Sequence, residues 1–115
     1  MLLQERIYNK MRISNVFSSL GIGAYKYSGP FDSAIRNVMK NHLTNQETWD
    51  FFVEQYRTEA DVADLGWRGE YWGKMMRGSV LTYAYTKSEE LYSVLEYTVR
   101  NMLGAQKPCG RFTTY

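Results

Sequence analysis

The sequence predicts an all-α fold built from helical hairpins. Two long segments, 69–85 and 88–105, carry apolar residues at helical spacing and are separated by a short polar turn. Apart from a weak "FTTY" at the end, no segment shows strand-like alternation. The chain of 115 residues has a hydrophobic fraction of 44%, which suits about one small folded domain. We therefore expect a single helical unit over residues 1–115.

Composition excludes several functional classes. The formal net charge is only +2, and Lys and Arg alternate with acidic residues, so the chain does not resemble a nucleic-acid-binding protein. No apolar run approaches the length of a membrane span. The N-terminus "MLLQERIYNKM" has charges where a signal peptide would have its apolar segment, so we expect a cytoplasmic location unless a truncated start hides a leader. One Cys and one His match no metal-binding spacing, and no metal site is predicted in this chain.

The first half of the chain predicts a loop followed by a helix. Residues 1–20 have a weak helical pattern, and the three Gly and the Pro of residues 21–30 are typical of a loop. The next helix is expected to start after Pro30, with Asp32 as its N-cap. Its apolar side is formed by Ile35, Val38, Met39 and Leu43 or His42.

A second helix is predicted from "TNQE", in which Thr44 and Glu47 have the spacing of a capping box. Its apolar residues are Trp49, Phe52, Val53 and Tyr56. The acidic stretch 57–66 ends at a Gly and is predicted to be a connection.

The two later helices have different apolar patterns. Segment 69–85 is apolar on every side, which predicts a helix buried on every side. Segment 88–105 has a single apolar stripe, with Ser88 as its N-cap and Glu89 and Glu90 in its first turn. We therefore expect 69–85 to be the more buried member of an inner–outer helical pair. Because such pairs are not stable alone, the chain is expected to be the beginning of a longer helical domain.

The stretch "GWRGEYWGKMMRG", residues 66–78, allows two interpretations. In the structural one, the two Trp are core anchors, Glu70 and Lys74 form an ordinary helix pair, and the Gly residues admit a neighbouring helix. In the functional one, Gly in a helix costs about 1 kcal/mol relative to Ala, and the charges cluster at one end of an otherwise apolar helix. That arrangement is typical of a helix that lines a pocket with its N-terminal end.

The motifs "GEYWGK" at 69–74, "YAYT" at 83–86, Gln106 and "GRFTTY" at 110–115 resemble an early segment of the β-L-arabinofuranosidase-type glycoside hydrolases, family 127 and its relatives. The resemblance covers about half of the chain. It implies an (α/α)6 six-hairpin toroid, of which this chain would be an incomplete N-terminal part. It also implies a pocket at the end where the inner helices begin.

Six residues are predicted to bind the carbohydrate at the mouth of this pocket: Trp67, Arg68, Glu70, Lys74, Arg111 and Tyr115. Glu70 would accept hydrogen bonds from sugar hydroxyls, and the two Arg residues would donate them. Trp67 would cover an apolar sugar face. Lys74, one turn after Glu70, would keep that carboxylate charged, which suits a binding group better than a general acid.

No catalytic residue is predicted in this chain. The resemblance implies a zinc-bound Cys nucleophile, but its motifs lie downstream of this segment, and Cys109 has no ligand neighbours in the sequence. His42 is more easily explained as structural. The chain is therefore expected to supply pocket wall to a glycosidase acting on arabinofuranosyl-type or related plant glycans, with zinc and the rest of the barrel supplied elsewhere, and to be inactive alone. The alternative is a small, non-enzymatic helical module that binds a protein through its Tyr-rich surface.

Overall fold

The computed structural model describes residues 17–21, 23–59 and 68–114, with the side chain of Arg68 excepted. These residues form four α-helices and one π-helical segment and no strand. The helices are α1 (Pro30–Val38), α2 (Gln46–Thr58), α3 (Arg68–Thr86) and α4 (Glu89–Leu103), and the π-helical segment Met39–Leu43 follows α1 directly. The all-α prediction is confirmed for this part of the chain. The helical pattern expected in residues 1–20 lies mostly outside it.

Helix α1 begins earlier than predicted, and Asp32 is not its N-cap. The N-cap is Gly29, whose φ of 74° suits a residue without a side chain, and Pro30 takes the first helical position. Asp32 lies within the first turn instead, where Oδ2 is 2.8 Å from Nε of Arg36. The Gly-Pro pair therefore determines where this helix starts.

Helix α2 also uses a different cap from the predicted Thr44–Glu47 box. Asn45 is the N-cap, and its side-chain oxygen accepts a hydrogen bond from the backbone N–H of Thr48. The Thr44 hydroxyl instead donates to backbone carbonyls of the π-helical segment. By contrast, the predicted cap of α4 is confirmed, because Oγ of Ser88 accepts from the N–H of Leu91.

The core lies where α2, α3 and α4 meet. One cluster of buried apolar side chains consists of Leu43, Trp49, Leu91 and Leu95, and a second consists of Val53, Met102 and Ala105. Trp72 of α3 packs against both clusters and joins them. Trp49 is fully buried, and its indole N–H donates to the carbonyl of Leu43 at 2.8 Å.

The predicted order of burial was wrong. Four residues of α4 are buried: Leu91, Leu95, Thr98 and Met102. In α3, Ser79 is the buried residue among those whose side chains are described (69–86), while Val80 and Leu81 are each 47% exposed. The reason is that α2 and α4 cover one side of α3, whereas added Cβ atoms at Gly73 and Gly78 would meet nothing within 4 Å. An apolar pattern on all sides of a helix shows that every side could be buried. It does not show whether neighbouring helices are present to cover each side.

Candidate functional site

The start of α3 carries the predicted ion pair. Nζ of Lys74 lies 2.6 Å from Oε1 of Glu70, and the two side chains are 62% and 44% exposed. The hydrogen bond to the Glu70 carboxylate, helped by its charge, raises the pKa of Lys74 above its ordinary value. An exposed pair at this helical spacing contributes little to stability, because solvent screens the two charges. A contribution to stability therefore does not explain why Glu70 and Lys74 are present at these positions.

The C-terminal loop returns to the start of α3, as expected from the prediction that Arg111 and Tyr115 share a site with Glu70. The Thr114 side chain is buried and packs directly on Gly69. From the opposite helix, the Tyr56 hydroxyl donates to the carbonyl of Gly69 at 2.6 Å. Gly69 of "GEYWGK" and Thr114 of "GRFTTY" are thus adjacent in the fold, although most of the α3–α4 hairpin separates them in sequence.

This close approach predicts opposite effects for two Gly-to-Ala substitutions in α3. A Cβ at position 69 would lie 2.9 Å from the Thr114 methyl carbon and 3.3 Å from the Tyr56 hydroxyl, so Gly69→Ala is expected to destabilise the fold by about 1–3 kcal/mol. Gly73→Ala meets open space and is expected to stabilise α3 by about 0.5–1 kcal/mol. Urea unfolding of both variants measures the difference, and equal effects would mean that the loop does not pack on Gly69.

The two aromatic residues of "GEYWGK" point in different directions. Trp72 faces the core, where its ring meets that of Trp49 and its indole N–H donates to the Thr98 hydroxyl at 3.1 Å. Tyr71 is 46% exposed, and Nζ of Lys74 lies 5.9 Å from the centre of its ring. The sequence analysis missed Tyr71 as a binding candidate because neighbouring positions of a helix differ by about 100°, and the pattern does not show which one faces outward.

Of the other predicted site residues, the structure describes the side chain of Arg111 alone, and this side chain pairs with Glu59. The guanidinium of Arg111 is 63% exposed and lies 3.9 Å from Oε1 of Glu59, an oxygen also bound by Nζ of Lys107 at 3.1 Å. Arg111 therefore pairs with the end of α2. Trp67, Tyr115 and the side chain of Arg68 lie outside the described residues, so their place in the site stays a prediction.

Described residues line three concave surfaces. One, of about 300 Å³, is apolar and lies among Tyr56, Trp72, Val99, Met102, Leu103 and Phe112. A second, of about 400 Å³, extends it along α3 and α4 and shares Val99 and Leu103 with it. The third, of about 310 Å³, is polar and lies at the other end of α3. Glu70, Lys74 and Arg111 line none of these three.

The part of the chain that is described does not fit a zinc site. It brings together no group of three His, Cys, Asp or Glu side chains, and Cys109 is exposed. Within the same residues, no helix has the length and apolar character needed to cross a lipid bilayer. Comparison with family models, with curated proteins and with solved structures finds no significant match to this chain.

Proposed function

We propose that this chain is part of a glycoside hydrolase acting on arabinofuranosyl-type or related plant glycans, to which it contributes pocket wall rather than the nucleophile. The observation that carries the proposal is the contact between Thr114 and Gly69. It brings together the two most distinctive motifs of the family resemblance, and a shared pocket requires that they meet. The zinc implied by the resemblance would be held by residues elsewhere in the complete enzyme.

The proposal also accounts for the open side of α3. In a six-hairpin toroid, α3 and α4 would form one inner–outer hairpin, and further hairpins would cover the remaining surface of the inner helix. The half-exposed Val80 and Leu81 and the uncovered Gly73 lie on such a surface. Neighbouring helices can approach closely at Gly, because it has no side chain to separate the backbones.

The sugar is proposed to contact the polar start of α3. Glu70 accepts hydrogen bonds from hydroxyl groups, and Lys74 donates one while keeping the carboxylate oriented. Tyr71 presents an exposed ring beside them, supported from behind by Phe52 at a ring separation of 6.0 Å. An aromatic ring next to charged groups suits a sugar, which has both a C–H face and hydroxyl groups.

Glu70→Gln tests this assignment in the full-length gene product that carries residues 1–115. We expect the dissociation constant for an arabinofuranosyl oligosaccharide to rise about tenfold, because a hydrogen bond to a charged acceptor is replaced by a neutral one. The melting temperature should hardly change, since the Glu70–Lys74 pair is exposed. Isothermal titration calorimetry and thermal melting measure the two quantities.

Glu96→Gln is the matched control. Glu96 pairs with Arg100 at the same helical spacing and is similarly exposed, but it lies on α4. It should leave sugar affinity unchanged. If Glu70→Gln behaves like Glu96→Gln, the pair at the start of α3 is only structural and the pocket assignment fails. As a further control, the 115-residue chain alone should not hydrolyse arabinofuranosides.

A protein-binding helical module is the second candidate. The observation that favours it is the exposure of apolar residues of α4, in which Tyr97 is 51% and Leu103 is 59% exposed. If the chain binds a protein through this surface, Leu103→Asp should weaken that binding. Unchanged binding of the partner by this variant would argue against the protein-binding module. Sugar binding that depends on Glu70 would favour the glycosidase.

A further inference from the structure

The polar concave surface, which we call the basic pocket, lies at the C-terminal end of α3. It is lined by Lys26, Tyr27, Asp32, Arg36, Tyr85 and Lys87, together with Thr86. Its volume of about 310 Å³ is at the lower end of the range of small-molecule sites, roughly 300–1,000 Å³. At 1.5 Å per helical residue, Tyr85 lies about 16–22 Å along α3 from Lys74 and Glu70. The basic pocket is therefore separate from the proposed sugar site.

Hydrogen bonds of the Tyr85 hydroxyl build this pocket. The hydroxyl accepts from the backbone N–H of Tyr27 at 3.1 Å and donates to Oδ1 of Asp32 at 2.9 Å. The other carboxylate oxygen of Asp32 binds Nε of Arg36 at 2.8 Å. The last turn of α3 is thus connected to α1 and to the loop before it, and the floor of the pocket is held in place.

The charge of the pocket is predominantly positive. Three cations, Lys26, Arg36 and Lys87, line it with one carboxylate, and Asp32 is already paired with Arg36. Hydrogen bonds from Arg36 and Tyr85 hold the pKa of Asp32 below its ordinary value, so this pair stays ionised near neutral pH. Among the described residues, no carboxylate forms an ion pair with Lys26 or Lys87. No described carboxylate therefore neutralises these two charges, although Nζ of Lys87 already lies 5.6 Å from the centre of the Tyr83 ring.

Lys87 occupies a backbone position that normally favours Gly. Its φ is 55°, and its N–H donates to the carbonyl of Tyr83 at 2.8 Å, which ends α3. A left-handed backbone conformation is unfavourable for a residue with a side chain. A Lys at this position is therefore less favourable for folding than a Gly would be.

We propose that the basic pocket binds a small molecule through a carboxylate or phosphate group, with Lys26 and Lys87 contacting the oxygens. Both groups are oxyanions of similar size, and an ammonium group binds either one as a compact charge. The ring of Tyr27, 47% exposed at the edge of the pocket, contacts the rest of the molecule. This site does not depend on the proposed glycosidase function.

Nuclear magnetic resonance titration of the chain at low ionic strength tests the proposal with inorganic phosphate and with D-galacturonate. We expect saturable shifts of the amide signals of Lys26, Tyr85 and Lys87 with at least one of the two anions. Binding of phosphate alone identifies a phosphate site, and binding of galacturonate alone identifies a site for sugar acids. D-galactose, which has no charge, should produce no shifts, and equal binding of galactose would overturn the proposal.

Lys87→Gly separates binding from folding. It should weaken anion binding about tenfold, while the melting temperature stays the same or rises because Gly tolerates the positive φ. Lys26→Gln should weaken binding similarly and leaves this backbone position untouched. Arg100→Gln, which removes one exposed charge on α4, is the control and should leave binding unchanged. Equal weakening by all three variants would indicate only long-range charge attraction, and the absence of saturable shifts would equally exclude the site.

Discussion

Replacing Trp49 with Ala is expected to lower the free energy of unfolding by about 3–5 kcal/mol. The side chain is fully buried, its ring packs on Trp72 at a centroid separation of 6.3 Å, and its indole N–H satisfies the carbonyl of Leu43. The substitution removes a large buried side chain and leaves that carbonyl without its partner. A loss of this size is a large share of the roughly 5–15 kcal/mol typical of a small domain. Chemical denaturation measures it.

Phe51→Ala is the matched control for this prediction. Phe51 lies two positions further along α2 and is 47% exposed, so its removal should cost about 1 kcal/mol or less. If both variants lose similar stability, Trp49 is not at the centre of the core and the described packing of α2 against α3 and α4 is wrong.

Leu91→Ala is expected to cost about 2–5 kcal/mol, whereas Leu81→Ala should cost about 1 kcal/mol or less. The chemical change is the same in both, but Leu91 of α4 is fully buried and Leu81 of α3 is 47% exposed. The comparison tests the burial order of the two helices directly in the 115-residue chain. A larger loss for Leu81→Ala would mean that α3 is the more buried helix, as its all-round apolar pattern predicts.

The ends of a helix were predictable from the sequence to within a residue or two where the spacing of apolar residues and the capping residue indicated the same boundary. The expected helix 69–85 is Arg68–Thr86 in the structure, and Ser88 caps the helix after it. The starts of α1 and α2 were missed because more than one cap was available at each. Gly29, before Pro30, is the N-cap of α1 instead of Asp32. Asn45 is the N-cap of α2 instead of Thr44.

The candidate site was only partly predictable. The Glu70–Lys74 pair follows from helical spacing, and the return of the C-terminal loop to Gly69 follows from a short connection after an outer helix. The basic pocket could not be predicted, because it joins residues 26–36 to the end of α3 through the hydroxyl of Tyr85. Such contacts between segments far apart in sequence leave no periodic signal.

The π-helical segment has a consequence for insertions and deletions in this chain. The N–H of Thr44 donates to the carbonyl of Met39, five residues back, so the turn contains one residue more than an α-helical turn. That extra residue rotates the next part of the chain by about 100°, and Leu43 thereby reaches the core, where its carbonyl accepts the indole N–H of Trp49. Deleting one residue between 39 and 43 would restore a regular helix and turn Leu43 away from Trp49. The length of the chain between Met39 and Leu43 therefore determines whether Leu43 reaches the core.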